Sequence, residues 1–255
     1  MNKKENIHQE QYTIRSYEVH PDGSARIQSI CNLLQETAGN HALELNFDIS
    51  QLKDRDLTWV LYRLQVEISR FPEWRDKIII ETWPSRGDQL RAYRDFRLLD
   101  MNGDELTHAL SYWMMIDMNT RRPVRMPEEV LRMGDNTKPH TMPVSRNRLK
   151  GPKETPIEKV FSVRRSDLDV NNHVNNVKYI EWALEAVPDI IYDHYRTTGL
   201  DIQFQAEGHY GEDVISGCLK SEEDGNKERP VYQHVLKQES DQKTLAIARS
   251  TWNQY

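Results

Sequence analysis

Apolar and polar positions along the chain fall into a pattern that occurs twice. The segment "YTIRSYEVHPDGSARIQSICNLLQETA" opens on an alternation (Tyr12, Ile14), crosses a polar stretch, and continues with apolar residues at Ile27, Ile30, Leu33, Leu34 and Ala38. The segment "FSVRRSDLDVNNHVNNVKYIEWALEAV" opens on Phe161 and Val163 and continues with Val177, Ile180, Trp182, Leu184 and Val187. Period-two alternation predicts a short strand, and spacings of three and four predict a helix with one buried stripe. Pro188 stops the second helix. At a constant offset of 149, Tyr12 faces Phe161, Ile14 faces Val163, Arg15 faces Arg164, Glu18 faces Asp167 and Glu36 faces Glu185. "ALSYW" at Ala109 and "ARSTW" at Ala248 match at an offset of 139, so the second copy is about ten residues shorter. Two matched windows in one order predict a duplication.

Strand-like runs follow each helix: "WVLYRLQVEISRF", "KIIIETWPS", "RAYRDFRLLD" and "ELTHALSYWMMIDM", answered by "GLDIQFQAEGHY", "DVISGCLKS", "VYQHVLKQES" and "TLAIARSTWNQ". "DMNGDE" predicts a hairpin turn, with Asn102-Gly103 supplying positive φ. One helix and several antiparallel strands, twice over, predict two sheets that each wrap a helix. The boundaries expected are a polar tail over 1–10, a first unit over 11–122, a linker over 123–156 rich in Pro, Arg, Lys and Asn, and a second unit over 157–255.

Composition narrows the function classes. The chain has 255 residues, 37% apolar and 29% charged, which suits a soluble globular protein with a sizeable core. No apolar run is long enough to span a membrane, and "MNKKENIHQEQ" lacks the apolar core of a secretory signal, so a cytoplasmic protein is expected. Cys31 and Cys218 form no CxxC pair and read as reduced thiols. A net charge of −6 argues against nucleic acid as the main partner.

The polar stretch of the second copy, "DLDVNNHVNN", is where chemistry concentrates. Asp167, Asp169 and Asn171 occupy positions one, three and five of an EF-hand-like loop, but Asn172 stands where Gly is needed and Lys178 where Glu is needed. One His without nearby Cys does not make a zinc site. No metal and no other cofactor is therefore expected. A strand-to-helix turn with an Asn cap explains one or two of the polar residues. A catalytic edge explains why Asp169, Asn171 and His173 alternate, since an extended segment would point all three the same way. The first copy has His20, Asp22 and Ser24 at these places. Glu207, in "IQFQAEGHY", is a partner carboxylate on the opposite strand face from Ile202, Phe204 and Ala206, with Ser69 as its expected counterpart in copy one; His209 reads as a surface histidine. There is no GxSxG elbow, no Cys near a His and no Gly-rich phosphate loop, so water or a carboxylate is the expected nucleophile.

"RRSDLDVNNHVNNVKYIEWALEAVPD" resembles the acyl-acyl carrier protein thioesterases of the plant and bacterial fatty-acid type, whose second half carries D-L-D-V-N-x-H-V-N-N-V-x-Y-I. "RSYEV", "LLQETAGNHA", "LTWVLYRLQVEISRFPEWRD" and "WMMIDMNTRRPVRMPEEV" resemble the first half, so the likeness covers roughly residues 10 to 255. The resemblance implies an α+β tandem hot-dog fold and the hydrolysis of fatty acyl-carrier protein thioesters in fatty acid biosynthesis. It implies Asp169, Asn171, His173 and Glu207 as catalytic residues. The family's Y-R-R-E-C strand reads "FQAEG" here, which replaces its Cys by Gly208 and its basic residue by Ala206. The partner implied is an acyl carrier protein with a phosphopantetheine-linked chain, bound by a monomer or homodimer. The acyl tail is expected against Ile30, Leu33, Leu34 and Trp59 of the first copy. Arg121, Arg122, Arg125, Arg164 and Arg165, with Arg146, Arg148 and Lys150 nearby, form the expected carrier-docking surface. An acyl-CoA thioesterase of the same fold and a non-catalytic carrier-binding module are the competing readings.

Overall fold

A computed structural model describes residues 6–134, 138–222 and 228–254. The chain divides between Ser145 and Arg146. The first unit contains strands β1 (His8–Thr13), β2 (Leu57–Ile68), β3 (Lys77–Ser85), β4 (Ala92–Asp100), β5 (Glu105–Asp117) and β6 (Arg122–Pro123), with helices α1 (Ile27–Glu44), α2 (Ile49–Lys53) and α3 (Glu128–Met133). The second contains β7 (Ile157–Ser162), α4 (Asn176–Glu185), α5 (Asp189–His194), β8 (Tyr195–Phe204), β9 (Asp213–Lys220), β10 (Val231–Gln238) and β11 (Thr244–Gln254). Strand order is β1-β3-β4-β5-β2 in the first unit, with β6 on β5, and β7-β9-β10-β11-β8 in the second. All these pairings are antiparallel. The two orders correspond strand for strand, which is the duplication expected from the sequence. Each unit is a hot-dog.

The helices form where the stripes stood. Ile27, Ile30, Leu33, Leu34 and Ala38 are buried along α1, opposite sheet residues such as Ile78, Ile80, Phe96 and Leu98. Burying each such Leu or Ile stabilises the fold by roughly 1.5–3 kcal/mol. On α4, Val177, Tyr179, Ile180, Trp182, Ala183 and Leu184 are all buried. Two sheet side chains satisfy carbonyls near the end of α4: Ser216 Oγ donates to Trp182 O at 2.8 Å and Cys218 Sγ to Ala186 O at 3.1 Å. Pro188 ends this segment and starts α5 as its N-cap residue. Among the described residues no helix is long and apolar enough to cross a membrane.

Three local expectations need correction. The polar tail is shorter than ten residues, because β1 begins at His8 and pairs with β3. Its polar side chains are bonded: Gln9 Nε2 donates to Glu81 Oε1 at 2.5 Å and Glu10 accepts from Asn40 Nδ2 at 2.9 Å. The segment 123–145 is part of the first unit, not a linker. Met126 and Val130 join a core cluster with Phe47, Leu52 and Met115, and residues 140–145 are strapped to the sheet through Asp95 and Tyr112. Proline and charge masked that packing in the pattern. At the β4–β5 hairpin only Gly103 has positive φ (+90°); the Asp100 carboxylate closes the turn by accepting from the N–H groups of Asn102 and Asp104.

Candidate active site

The stretch around Asp169 is a tight turn, not an extended edge. Leu168 bridges Val174, Asp169 N–H donates to His173 O at 2.8 Å, and Asn172 has φ +63°. The Asp169 carboxylate closes it, Oδ1 accepting from the N–H of Asn171 at 2.8 Å and of His173 at 3.2 Å. Alternation therefore does not align the three side chains. Asn171 lies on the exposed crest, while His173 is half-buried at the exit of the turn. Two residues on, Asn175 caps α4 by accepting from Val177 N–H at 2.9 Å.

Below the turn, Asp167 is buried, and its Oδ2 accepts from the N–H and Nε of Arg164 at 2.8 and 3.2 Å. Burial pushes this carboxyl up, but the bonds from Arg164 and the charges of Arg164 and Lys178 outweigh it and hold the group below the usual carboxylate range.

Glu207 sits in the loop after β8, three residues past its end, rather than on a strand face. One backbone bond sets that loop against the turn: Val174 N–H donates to Gly208 O at 3.0 Å. Because Val174 follows His173 and Gly208 follows Glu207, this stitch places the two side chains opposite each other. His173 Nδ1 and Glu207 Oε1 are 3.6 Å apart. That is an ion-pair separation, longer than a hydrogen bond.

Tyr179, which the pattern did not single out as polar, and His209 complete the surroundings. Tyr179, buried on α4, accepts from Gly208 N–H at 2.8 Å. Burial, together with the charges of Glu212, Glu207 and Asp169, raises its hydroxyl pKa against the opposing effect of that N–H, so it stays a neutral phenol. The apolar stripe hid this role. The His209 ring meets that of His173 edge to face, 5.3 Å between centroids. Its backbone N–H donates to Glu212 Oε2 at 2.8 Å. The His209 side chain is exposed, as expected of a surface histidine.

The first unit builds the same scaffold with other side chains. Val19 bridges Ala25, His20 N–H donates to Ser24 O at 2.8 Å, Gly23 has φ +91°, and Ala25 N–H donates to Pro72 O at 2.9 Å. Ser24 thus corresponds to His173, and Phe71, not Ser69, corresponds to Glu207. The register confirms it: Ser69 and Arg70 both donate to Leu106 O, as Gln205 and Ala206 both donate to Leu245 O.

The remaining candidates are distributed as follows. Ile30, Leu33 and Leu34 are buried on α1. Trp59 is half-buried on β2, its Nε1 donating to Phe47 O at 2.8 Å. Arg121, Arg122 and Arg125 are exposed around β6. In the second unit Arg164 is exposed while bonding Asp167, and the exposed Arg165 lies over the Tyr210 ring at 4.2 Å. Both cysteines are buried and unpaired, and burial raises the thiol of Cys31 to about 12 and of Cys218 to about 11, so neither supplies a thiolate near neutral pH.

Comparison with known proteins agrees with this architecture. Residues 5–133 match the acyl-ACP thioesterase N-terminal domain and residues 150–254 the C-terminal domain. A palmitoyl-acyl carrier protein thioesterase of Cuphea hookeriana is 32% identical over 262 residues, covering 96% of this chain and 62% of the relative. A dodecanoyl-acyl carrier protein hydrolase of Cinnamomum camphora is 32% identical over 255 residues, covering 94% and 66%. The chain spans about three fifths of the length of the first curated relatives it matches. Among solved structures, the 12:0-ACP thioesterase from Umbellularia californica superposes with a TM-score of 0.85 at 28% identity, over 98% of this chain and 95% of that one. An acyl-ACP thioesterase from Bacteroides thetaiotaomicron shares the fold with a TM-score of 0.87 at 24% identity, over 99% and 100%. Matched in order through both halves, the chain belongs to the acyl-ACP thioesterase family.

Proposed function

We propose that the chain hydrolyses fatty acyl thioesters of an acyl carrier protein, releasing the fatty acid and the carrier thiol, in the cytoplasm. The observation that carries this reading is the pairing of His173 with Glu207 in a scaffold whose first-unit copy holds Ser24 and Phe71. In the reaction Glu207 takes a proton from a water that Asn171 helps to hold, and the water oxygen attacks the thioester carbonyl carbon. His173 donates a hydrogen bond to the oxyanion that develops. As the C–S bond breaks, the departing thiolate recovers the proton from Glu207. Asp169 is a positioning residue: its carboxylate shapes the turn that carries Asn171 and His173.

Attack by Asp169 itself through a mixed anhydride is the less favoured route, because Oδ1 already accepts two N–H bonds. Single turnover in oxygen-18 water separates the routes, since label in the Asp169 carboxylate requires the anhydride. Rates on matched carrier and CoA thioesters of one fatty acid test the substrate class; a preference for CoA overturns the carrier assignment.

The acyl tail is assigned to the first unit, against α1 and β2. Enlarging Leu33 or Leu34 to Phe is expected to shift product toward shorter acids, each excluded methylene being worth about 1 kcal/mol. Profiling the released acids checks this, and an unchanged profile in stable variants removes the helix from the tail site. For carrier docking, reversing Arg121, Arg122 and Arg125 to Glu is expected to raise KM for the carrier substrate about tenfold and to flatten its salt dependence. Hydrolysis of a small uncharged thioester should not change; equal losses on both substrates mean that the arginines support the fold instead.

A further inference from the structure

Arg94, on β4 of the first unit, is 9% exposed, and its only partners among the described residues are neutral. Nη1 donates to Nδ1 of His41 on α1 at 2.9 Å and to Oγ1 of Thr82 on β3 at 3.2 Å. His41 and Thr82 are themselves 3% and 0% exposed. Burial, then the charges of Arg94 and His8, lowers His41 to about 3, so its ring is neutral and accepts at Nδ1. The Thr82 hydroxyl donates to Asp95 O at 3.0 Å and is an acceptor for Arg94. Both Nη1 hydrogens are therefore used.

The opposite edge of the guanidinium is different. Nε–H and the two Nη2 hydrogens have no acceptor among the described residues. Arg97, farther along the same strand, uses that edge on a carboxylate, with Nε at 3.1 Å and Nη2 at 2.5 Å from Glu81 Oε2. Glu10 and Glu44 both contact His8, which stacks on His41 at 5.1 Å between ring centroids. Burial lowers Arg94 only to about 10, so it remains a cation at neutral pH. A buried cation without a counter-charge is costly, and the Nε–Nη2 edge matches a carboxylate through two parallel hydrogen bonds.

We propose that this edge of Arg94, oriented by His41 and Thr82, is a carboxylate-binding site in the first unit. The carboxylate belongs either to a small free acid or to one end of a longer chain, and the chemistry of recognition is the same.

The test uses the full chain, with melting temperature and calorimetric affinity measured in sodium formate, in a medium-chain fatty acid and in sodium chloride at equal ionic strength. The wild type is expected to gain about 4 °C or more with a carboxylate over chloride. Arg94→Met, which removes the buried charge while filling similar space, should keep its own melting temperature and lose that gain. Should Arg94→Met fail to fold, Arg94→Lys keeps the charge without the edge and should bind at least tenfold more weakly. A response to formate identifies the small acid as ligand, and a response to the fatty acid alone identifies the chain end. Equal melting in all three salts, or a carboxylate gain that persists undiminished in the variants, overturns the site.

Discussion

Replacing Glu207 by Gln is expected to lower kcat by about 10²- to 10⁴-fold, with the melting temperature almost unchanged. The amide keeps the shape of the side chain and cannot accept a proton from water. Glu207 is partly exposed, and the loop that carries it is set against the turn by a backbone bond. His173→Ala should fall in the same range for a different reason: it removes the proposed donor to the oxyanion, while the turn is closed by Asp169 and by the backbone bond from Asp169 N–H. The double variant should be little worse than the poorer single one, since both groups serve one step. Ser24→Ala, at the matching place in the first unit, should turn over normally. Steady-state rates on one acyl thioester check all four, and near-normal turnover of either single site variant removes that residue from the mechanism.

Asp95→Ala should be the most damaging change to stability, at about 3–5 kcal/mol. The carboxylate is fully buried and accepts from the Ser85 hydroxyl, from His140 Nδ1 at 2.8 Å, and from Thr141 N–H and Oγ1 at 2.6 and 2.9 Å. Alanine leaves these donors facing a small apolar surface. Asp95→Asn, which keeps one acceptor oxygen, should lose less. Denaturant midpoints give the magnitude. Amide hydrogen exchange supplies the structural readout, since the Thr141 N–H, which donates to Asp95 Oδ1 at 2.6 Å, should lose its protection once the strap loosens. A midpoint shift of less than about 1 kcal/mol would mean that the strap is held by its other contacts.

Helices, strands and duplication were legible because they rest on periodicity, which the burial of Ile27, Ile30, Leu34, Val177 and Ile180 bears out. The strap over 138–145 was not, because polar contacts to Asp95 and Tyr112 and the packing of Met142 and Val144 on Tyr93, Leu110 and Tyr112 hold it without any period of its own. Of the candidate site, the sequence pointed to His173 and Glu207, which the structure brings within 3.6 Å, but not to the geometry that carries them. Alternation suggested that Asp169, Asn171 and His173 share a face, whereas the Asp169 carboxylate folds the chain back on itself. The counterpart of Glu207 was misplaced by two residues because the loops after β2 and β8 diverge in sequence. Their equivalence lies in which carbonyl each N–H reaches, and side-chain identity does not record that.

The stitch between the turn and the loop, Val174 to Gly208 in one unit and Ala25 to Pro72 in the other, uses only main-chain atoms. Whatever side chains flank it inherit their juxtaposition without having to create it. Descent from a duplicated ancestor could thus lose or gain chemistry in either copy through two codon changes, with no intermediate that has to refold.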